Sequence, residues 1–400
     1  MAGIEINGTT ASGFEGVRDA FEQNFTQYGD QGGSVAVIVD GETKVDLWGG
    51  TADVNTGRAW NEDSMALVYS VTKGATAVVA NLLAERGQLE LDAPVTKYWP
   101  AFGAQGKEKT TVRMLLSHRA GLPLVEAKLT REQVIAGAPV ADALAAQAPI
   151  WEPGTSHGYH ALTYGWLLNE VVRRATGRTV GSLFATEVAG PLGLDFYIGL
   201  PASAEGRVAP LINMVPPPPD ALDAITDPDV KAMIMKIVGA MMDPNSLFSK
   251  VLSTNGALPT PDAATWNDPR VHQTEQPGAN AITNARSLAR MYAACVSHVD
   301  GVRLLSDSTL DDATKEQSAG MDEVLMSPSR FGTGFMLFSP TNAYLSPASF
   351  GHTGAGGAIG FADRDAKLGF GYVQNQLGGG VAGDPRSAGL IDSVRKAVGA

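Results

Sequence analysis

Apolar positions recur in two rhythms along the chain. Phe14, Val17, Phe21 and Phe25 lie at helical spacing and predict an amphipathic helix between Gly13 and Phe25. Gly32-Gly33 interrupts it. Residues 34–40 then read as a buried strand, turned at Gly41-Glu42 into a second strand over residues 44–48. A helical pattern runs from about Ser70 to Arg86, with Gly87 placed to cap it. Helical patterns continue over residues 111–116, 131–148 on either side of Pro139, 159–176 as far as Gly177, and 183–189. Pro216 to Pro219 predicts a stiff extended segment. Asp227-Pro228 reads as an N-cap followed by proline at the first position of a helix that reaches about Met242. Its methionines, Met233, Met235, Met241 and Met242, are expected in the core; the alternative is the wall of an adaptable apolar pocket. A capped helix over 281–294 is followed by strands at 332–338 and 367–374. Between them, 349–361 reads as strand, glycine turn and strand. A glycine loop at 378–380 leads to a last helix over 387–398.

Strands therefore gather at both ends of the chain, with helices between. That order predicts an α+β fold: residues 1–60 and 285–400 form a discontinuous α+β subdomain, and residues 61–284 a helical subdomain with an insertion at about 209–250. The 400 residues are 44% hydrophobic and 18% charged, enough apolar material for a large core. A net charge of -12 without a basic cluster argues against nucleic acid as a partner. No run approaches the roughly 18 apolar residues of a membrane span. The first residues, with neither a basic region nor an apolar core, do not resemble a signal peptide, so a cytoplasmic location is expected. Cys295 is the sole cysteine, which excludes an internal disulfide and a multi-cysteine zinc site; its neighbours suggest a buried helical position. Oligomeric state is not readable.

Candidate chemistry centres on Ser70 and Lys73. Three residues apart on a helix, they share a face. A serine hydroxyl needs a base to become a nucleophile, and a lysine kept neutral by burial can serve. Lys73 is the only charge between Met65 and Ala84, so it must be paired, snorkelling or functional. A second Ser-x-x-Lys, Ser393 to Lys396, reads as a solvated helix face. Tyr159 follows a Pro-Gly turn and is expected at the start of a helix. A lysine ammonium nearby would favour its phenolate as a general base; otherwise it is a half-buried helix tyrosine. Gly154 to Gly158 spells Gly-x-Ser-x-Gly, but it follows Trp-Glu-Pro rather than a strand, so Ser156 is read as a decoy. His352-Thr353-Gly354 ends a strand, where glycines let a substrate approach the backbone or merely mark a β-bulge. His157 and His160 lack a third ligand, and neither metal nor cofactor is expected.

Taken in order, Ser-x-x-Lys, Pro-Gly-x4-Tyr and a strand ending His-Thr-Gly resemble the serine β-lactamase and penicillin-binding-protein superfamily. The likeness is nearest to class C β-lactamases and family VIII carboxylesterases, and residues 115–122, Leu-Leu-Ser-His-Arg-Ala-Gly-Leu, add to it. It runs from about Ser34 to Ala400 and is weakest over 209–280. It implies the β-lactamase/DD-peptidase fold, an antiparallel sheet flanked by helices plus a mostly helical subdomain. It further implies Ser70 as nucleophile, Lys73 as proton acceptor and Tyr159 as acid/base partner. The backbone N–H groups of Ser70 and Ala355 would form the oxyanion hole, and His352, Thr353 and Gly354 would line the cleft. Two positions depart from the pattern. Tyr-x-Asn reads Tyr159-His160-Ala161, and the lysine of Lys-Thr-Gly is His352. Both changes remove groups that hold an amide or a carboxylate, and both cost less for a neutral ester. The expected activity is hydrolysis of short- to medium-chain carboxylic esters. The alternatives are a β-lactamase, D-aminopeptidase or acyltransferase of the same fold, and a penicillin-recognising protein without turnover.

Overall fold

A computed structural model describes residues 4–216, 223, 226–378 and 384–400. Most of the proline run (217–219) and part of the glycine loop (379–380) lie outside the described residues. The strands are β1 (Ile6–Thr10), β2 (Gly32–Val39), β3 (Glu42–Asp53), β4 (Arg58–Ala59), β5 (Ala66–Leu67), β6 (Phe196–Tyr197) and β7 (Ile282–Thr283). They continue with β8 (Ser318–Met321), β9 (Pro328–Phe331), β10 (Met336–Leu337), β11 (Ser349–Thr353), β12 (Ile359–Asp363) and β13 (Leu368–Gln374). The main sheet runs β1-β3-β2-β13-β12-β11-β10-β9-β8, with β4 paired to β3, and every pairing is antiparallel. Its centre joins the two ends of the chain, because β2 pairs with β13 over Val39↔Leu368 to Gly33↔Gln374. A small sheet, β5-β7-β6, lies just before Ser70.

The unbroken apolar run of β2 follows from burial on both faces. Val35 and Val37 pack with Phe21, Phe361, Phe370 and Leu390 beneath the helices Glu15–Thr26 and Pro385–Val398. Ala36 and Ile38 face the opposite core. Strand β13 divides in the same way. Phe370 and Tyr372 join the first core, while Gly369 and Gly371 meet the helix Ala285–Val296. A Cβ on Gly369 would lie 2.2 Å from the Ala289 carbonyl oxygen, and one on Gly371 2.5 Å from that of Ala285. Glycine on the strand and alanine on the helix thus bring the two backbones together. Cys295 is buried in that helix, as expected.

Several expectations are corrected. The break in 131–148 falls at Gly137, at φ 75°, and Pro139 sits in the first turn of the following helix, Ala138–Ala146. A proline ring suits a first turn, where its missing N–H has no partner to lose. The strand expected over 332–338 is confined to Met336–Leu337. The helix expected from Tyr159 begins only at Thr163. The methionine-rich helix, Pro228–Met242, is not core. Met235 is 56% and Met242 79% exposed, and Met233 and Met241 are also exposed, while Ile237 and Ala240 pack inward. Among the described residues no helix is long and apolar enough to cross a membrane.

Gly369→Ala tests the sheet–helix contact. Overpacking of this kind costs about 1–3 kcal/mol, so the variant should unfold at clearly lower urea concentration than the parent. An unchanged midpoint would mean that the helix can move off the strand freely.

Candidate active site

Ser70 sits beside the larger core, between Tyr69 and Val71, on a turn that the sequence twists sharply. Tyr69 adopts φ 44°, a left-handed conformation costly for a non-glycine residue, and Tyr69–Val71 form one 3-10 turn before the helix Thr72–Glu85. Burial over-determines it: Tyr69 packs edge-on to Trp266 at 5.1 Å, and the Thr72 hydroxyl donates to the Tyr69 carbonyl at 2.5 Å. Of the residues from Ser64 to Leu83, Ser70 alone is partly open to solvent.

Lys73 lies one turn further and is fully buried. Its Nζ is 3.0 Å from Ser70 Oγ, 2.7 Å from the Ala161 carbonyl oxygen and 2.7 Å from that of Gly278. Burial pushes this amine well below the ordinary lysine range. A neutral amine has two N–H groups and one lone pair. Two carbonyls, which can only accept, take both hydrogens, and the lone pair is left for the Ser70 O–H. The geometry therefore suits proton abstraction from Ser70. The two carbonyls converge because the first turn of the helix Thr163–Thr176 touches the loop around Gly278 through glycine: a Cβ on Gly165 would come within 2.5 Å of the Gly278 nitrogen. Gln276 joins that loop to the start of the helix, donating to the Leu162 carbonyl and accepting from the Gly278 N–H, both at 2.8 Å.

Tyr159 faces the same point, with its ring centroid 4.8 Å from Lys73 Nζ. It lies on an irregular stretch between Trp151 and Leu162 rather than on a helix. Residues 117–122 hold that stretch in place. The His118 carbonyl accepts from the Gly158 N–H at 3.1 Å, and His118 Nδ1 accepts from the His160 N–H at 3.1 Å. His160 Nε2 in turn accepts from the Leu122 N–H at 3.0 Å. The expected phenolate is corrected as well. Burial pushes the Tyr159 phenol up, the Ser70 hydroxyl opposes this, and the Asp322 and Tyr344 side chains add to it. Burial also pushes Lys73 towards its neutral form, which weakens the support that a phenolate would receive. The Tyr159 O–H is suited to donating a proton.

The end of β11 closes the other side. His352 and Gly354 are buried, and Thr353 and Ala355 are partly open. A Cβ on Gly354 would strike the Val68 carbonyl oxygen at 2.3 Å, so glycine there is what lets β11 reach the Ser70 turn. Among the described residues, the backbone N–H groups of Ser70 and Ala355 donate to no other group of the chain. Burial and the nearby Lys73 lower His352 to about 3, against its contact with the Thr353 carbonyl. Burial lowers His160 to about 4 and His118 well below the usual imidazole range. Ser156 stands apart. Its hydroxyl donates to the Glu323 carboxylate at 2.9 Å, on a loop with no strand-to-helix elbow. His157 and His160 point to different partners, Ser329 Oγ and the Gly158 carbonyl. Sequence reasoning missed the Ala161 and Gly278 carbonyls and Gln276. Backbone acceptors leave no side-chain signature, and Gln276 stands next to Pro277-Gly278 in what reads as a plain loop.

A family model described as Beta-lactamase matches residues 17–392. The chain belongs to the beta-lactamase family. Within it, a solved structure of a family VIII carboxylesterase is 37% identical at TM-score 0.86, covering 98% of this chain and 100% of the other. A penicillin-binding protein homologue from Caulobacter crescentus is 33% identical at TM-score 0.82, with 98% and 100% covered. The esterase/beta-lactamase LipL of Mycobacterium tuberculosis is 35% identical over 383 residues, 94% of this chain and 84% of its own. This beta-lactamase-family chain is thus a serine hydrolase with the β-lactamase/penicillin-binding-protein fold, an antiparallel sheet flanked by helices.

Lys73→Met tests the neutral amine through stability. The folded-state value of Lys73 is lowered, so between that value and the ordinary lysine range the unfolded chain binds more protons. Parent stability from this group therefore rises with pH across that window, and methionine removes the dependence. Urea unfolding at about pH 6 and about pH 9.5 should show the variant gaining on the parent as pH falls. A difference independent of pH would contradict a depressed Lys73.

Proposed function

We propose that this chain is a carboxylesterase that hydrolyses short- to medium-chain, uncharged carboxylic esters through an acyl-enzyme on Ser70. The observation that carries the reading is that the ionisable groups around Ser70 — Lys73, Tyr159, His118, His160 and His352 — are all driven by burial towards uncharged forms. Such a cleft has little to offer a carboxylate, and a neutral ester enters it at a far smaller desolvation cost than an ion. The esterase names carried by relatives support the same substrate class.

In the proposed reaction Ser70 Oγ attacks the ester carbonyl carbon while its proton passes to Lys73 Nζ. The carbonyl oxygen becomes an oxyanion facing the N–H groups of Ser70 and Ala355. Collapse breaks the bond to the leaving alkoxide, which takes a proton through the Tyr159 hydroxyl, and Lys73 re-protonates the tyrosine. Water then attacks the acyl-enzyme by the same route, releasing the acid and restoring Ser70. The small neutral ester is the proposed partner.

A second reading, β-lactam hydrolysis, is favoured by the double name of the LipL relative. Neutral His352 weighs against it as the main activity, since no cation stands where a β-lactam carboxylate would need one.

With p-nitrophenyl butyrate, Ser70→Ala should abolish turnover and Ser156→Ala leave most of it. Lys73→Arg, which keeps a charge that cannot be lost, should cost about 10³-fold or more in kcat. Comparable losses at Ser70 and Ser156 would sink the assignment. In a separate comparison, His352→Lys should raise cephalosporin hydrolysis relative to ester hydrolysis by about tenfold, which corresponds to about 1.4 kcal/mol. An unchanged ratio would show that position 352 does not face the acid end of the substrate.

A further inference from the structure

The Tyr159 peptide is gripped from two sides. Consecutive N–H groups on an extended stretch point in opposite directions. Those of Gly158 and His160 go to His118, and that of Tyr159 goes the other way, to Asp322 Oδ1 at 3.0 Å. Asp322 lies just past β8, 163 residues along the chain, and is 1% exposed. The same oxygen accepts from the Val324 and Leu325 N–H groups, each at 2.9 Å. Oδ2 accepts from the Ser329 hydroxyl at 2.9 Å. Ser329 has then used its hydrogen, so its oxygen accepts from His157 Nε2 at 3.0 Å. All four partners of Asp322 are donors, the set that a carboxylate satisfies. A second bridge, the Glu323 N–H to the His157 carbonyl at 3.1 Å, ties the same loop to the same stretch.

This network does more than fill a core. Residues 322–325 and 329 sit beside β8 and β9 at the far edge of the sheet, and among the described residues their hydrogen bonds to the Tyr159 stretch run to Ser156, His157 and Tyr159. We propose that Asp322 is a positioning residue for Tyr159: it fixes the peptide from which the phenol reaches towards Ser70, and so couples the β8–β9 edge to proton transfer. This rests on the reading of Tyr159 as the proton-transfer group. Asparagine at 322 keeps an oxygen for the three N–H groups and can donate to Ser329 Oγ. Alanine takes this acceptor away from all four donors.

The coupling between positions 322 and 159 tests this. Steady-state ester hydrolysis would be measured for the parent, Asp322→Ala, Asp322→Asn, Ser329→Ala, Tyr159→Phe, and the first and third combined with Tyr159→Phe. Melting temperatures would be recorded for each. Asp322→Ala should lower kcat by about 100-fold with KM within about threefold, and Asp322→Asn should stay within about fivefold of the parent. In the Tyr159→Phe background the loss from Asp322→Ala should nearly vanish, because the group it positions is gone. Ser329→Ala, a milder change that serves if Asp322→Ala does not fold, should lower kcat about tenfold and show the same non-additivity. Equal losses with and without the Tyr159 hydroxyl would overturn the proposal, as would kcat unchanged in both Asp322→Ala and Ser329→Ala. Parent turnover that survives Ser70→Ala would instead overturn the assignment of the reaction, and this proposal with it.

Discussion

The structure depends on one buried amine. Lys73 is enclosed completely, and a charged ammonium placed there would carry a large desolvation cost. The chain meets this constraint with two carbonyls and no carboxylate, which satisfies the amine without restoring its charge. Much of the surrounding architecture can be traced to that choice. The loop around Gly278 has to touch the first turn of the helix Thr163–Thr176, so each carries a glycine at the contact, Gly278 and Gly165. Gln276 ties them together, and Thr76 Oγ1 donates to the Pro277 carbonyl at 2.6 Å, binding the same loop to the helix that carries Lys73. Thr72 Oγ1 accepts from the Ala281 N–H at 2.9 Å, and the Val68 N–H donates to the Ala281 carbonyl, also at 2.9 Å. The Ser70 turn is therefore stitched to the chain segment that supplies one of the acceptors for Lys73.

The sheet reaches the Ser70 turn through the end of β11. Gly354 presses against the Val68 carbonyl and brings the Ala355 N–H to the Ser70 turn. The sheet's rigidity derives in part from the tight glycine–alanine packing of β13 on the helix Ala285–Val296. In the proposed reaction the helical region supplies nucleophile and base, and the sheet supplies an anion-stabilising edge. A cleft between them that is held uncharged favours substrates whose charge appears only during the reaction, where fixed N–H donors act most strongly.

What the sequence made legible follows the physical range of each signal. The Ser70–Lys73 relation is local, three residues on one turn, and the spacing alone places it. The alternating burial of β2 and β13 is also local, so the strands at both chain ends were readable as one layer. Tyr159 was readable as a residue but not as a conformation. The apolar stretch after it resembles a helix, yet His118, some forty positions earlier, takes the N–H groups of Gly158 and His160 and delays the helix to Thr163. The exposed methionines of Pro228–Met242 misled in the opposite sense, because apolar content alone does not say which face is covered. The Ala161 and Gly278 carbonyls were out of reach, since a backbone acceptor looks the same at every position. A lysine kept neutral by burial is among the readings of Lys73, but that burial also raises the Tyr159 phenol is something spacing cannot report.

The charge state of Lys73 is the central claim, and it can be read without any substrate. In protein labelled with 13C at lysine Cε, NMR across a pH titration should reveal one resonance that titrates well below the ordinary lysine value of about 10.4 and is missing from Lys73→Met. If the resonance lost in Lys73→Met titrates near that ordinary value, the amine is charged at neutral pH. It could not then be the base for Ser70, and the account would fall.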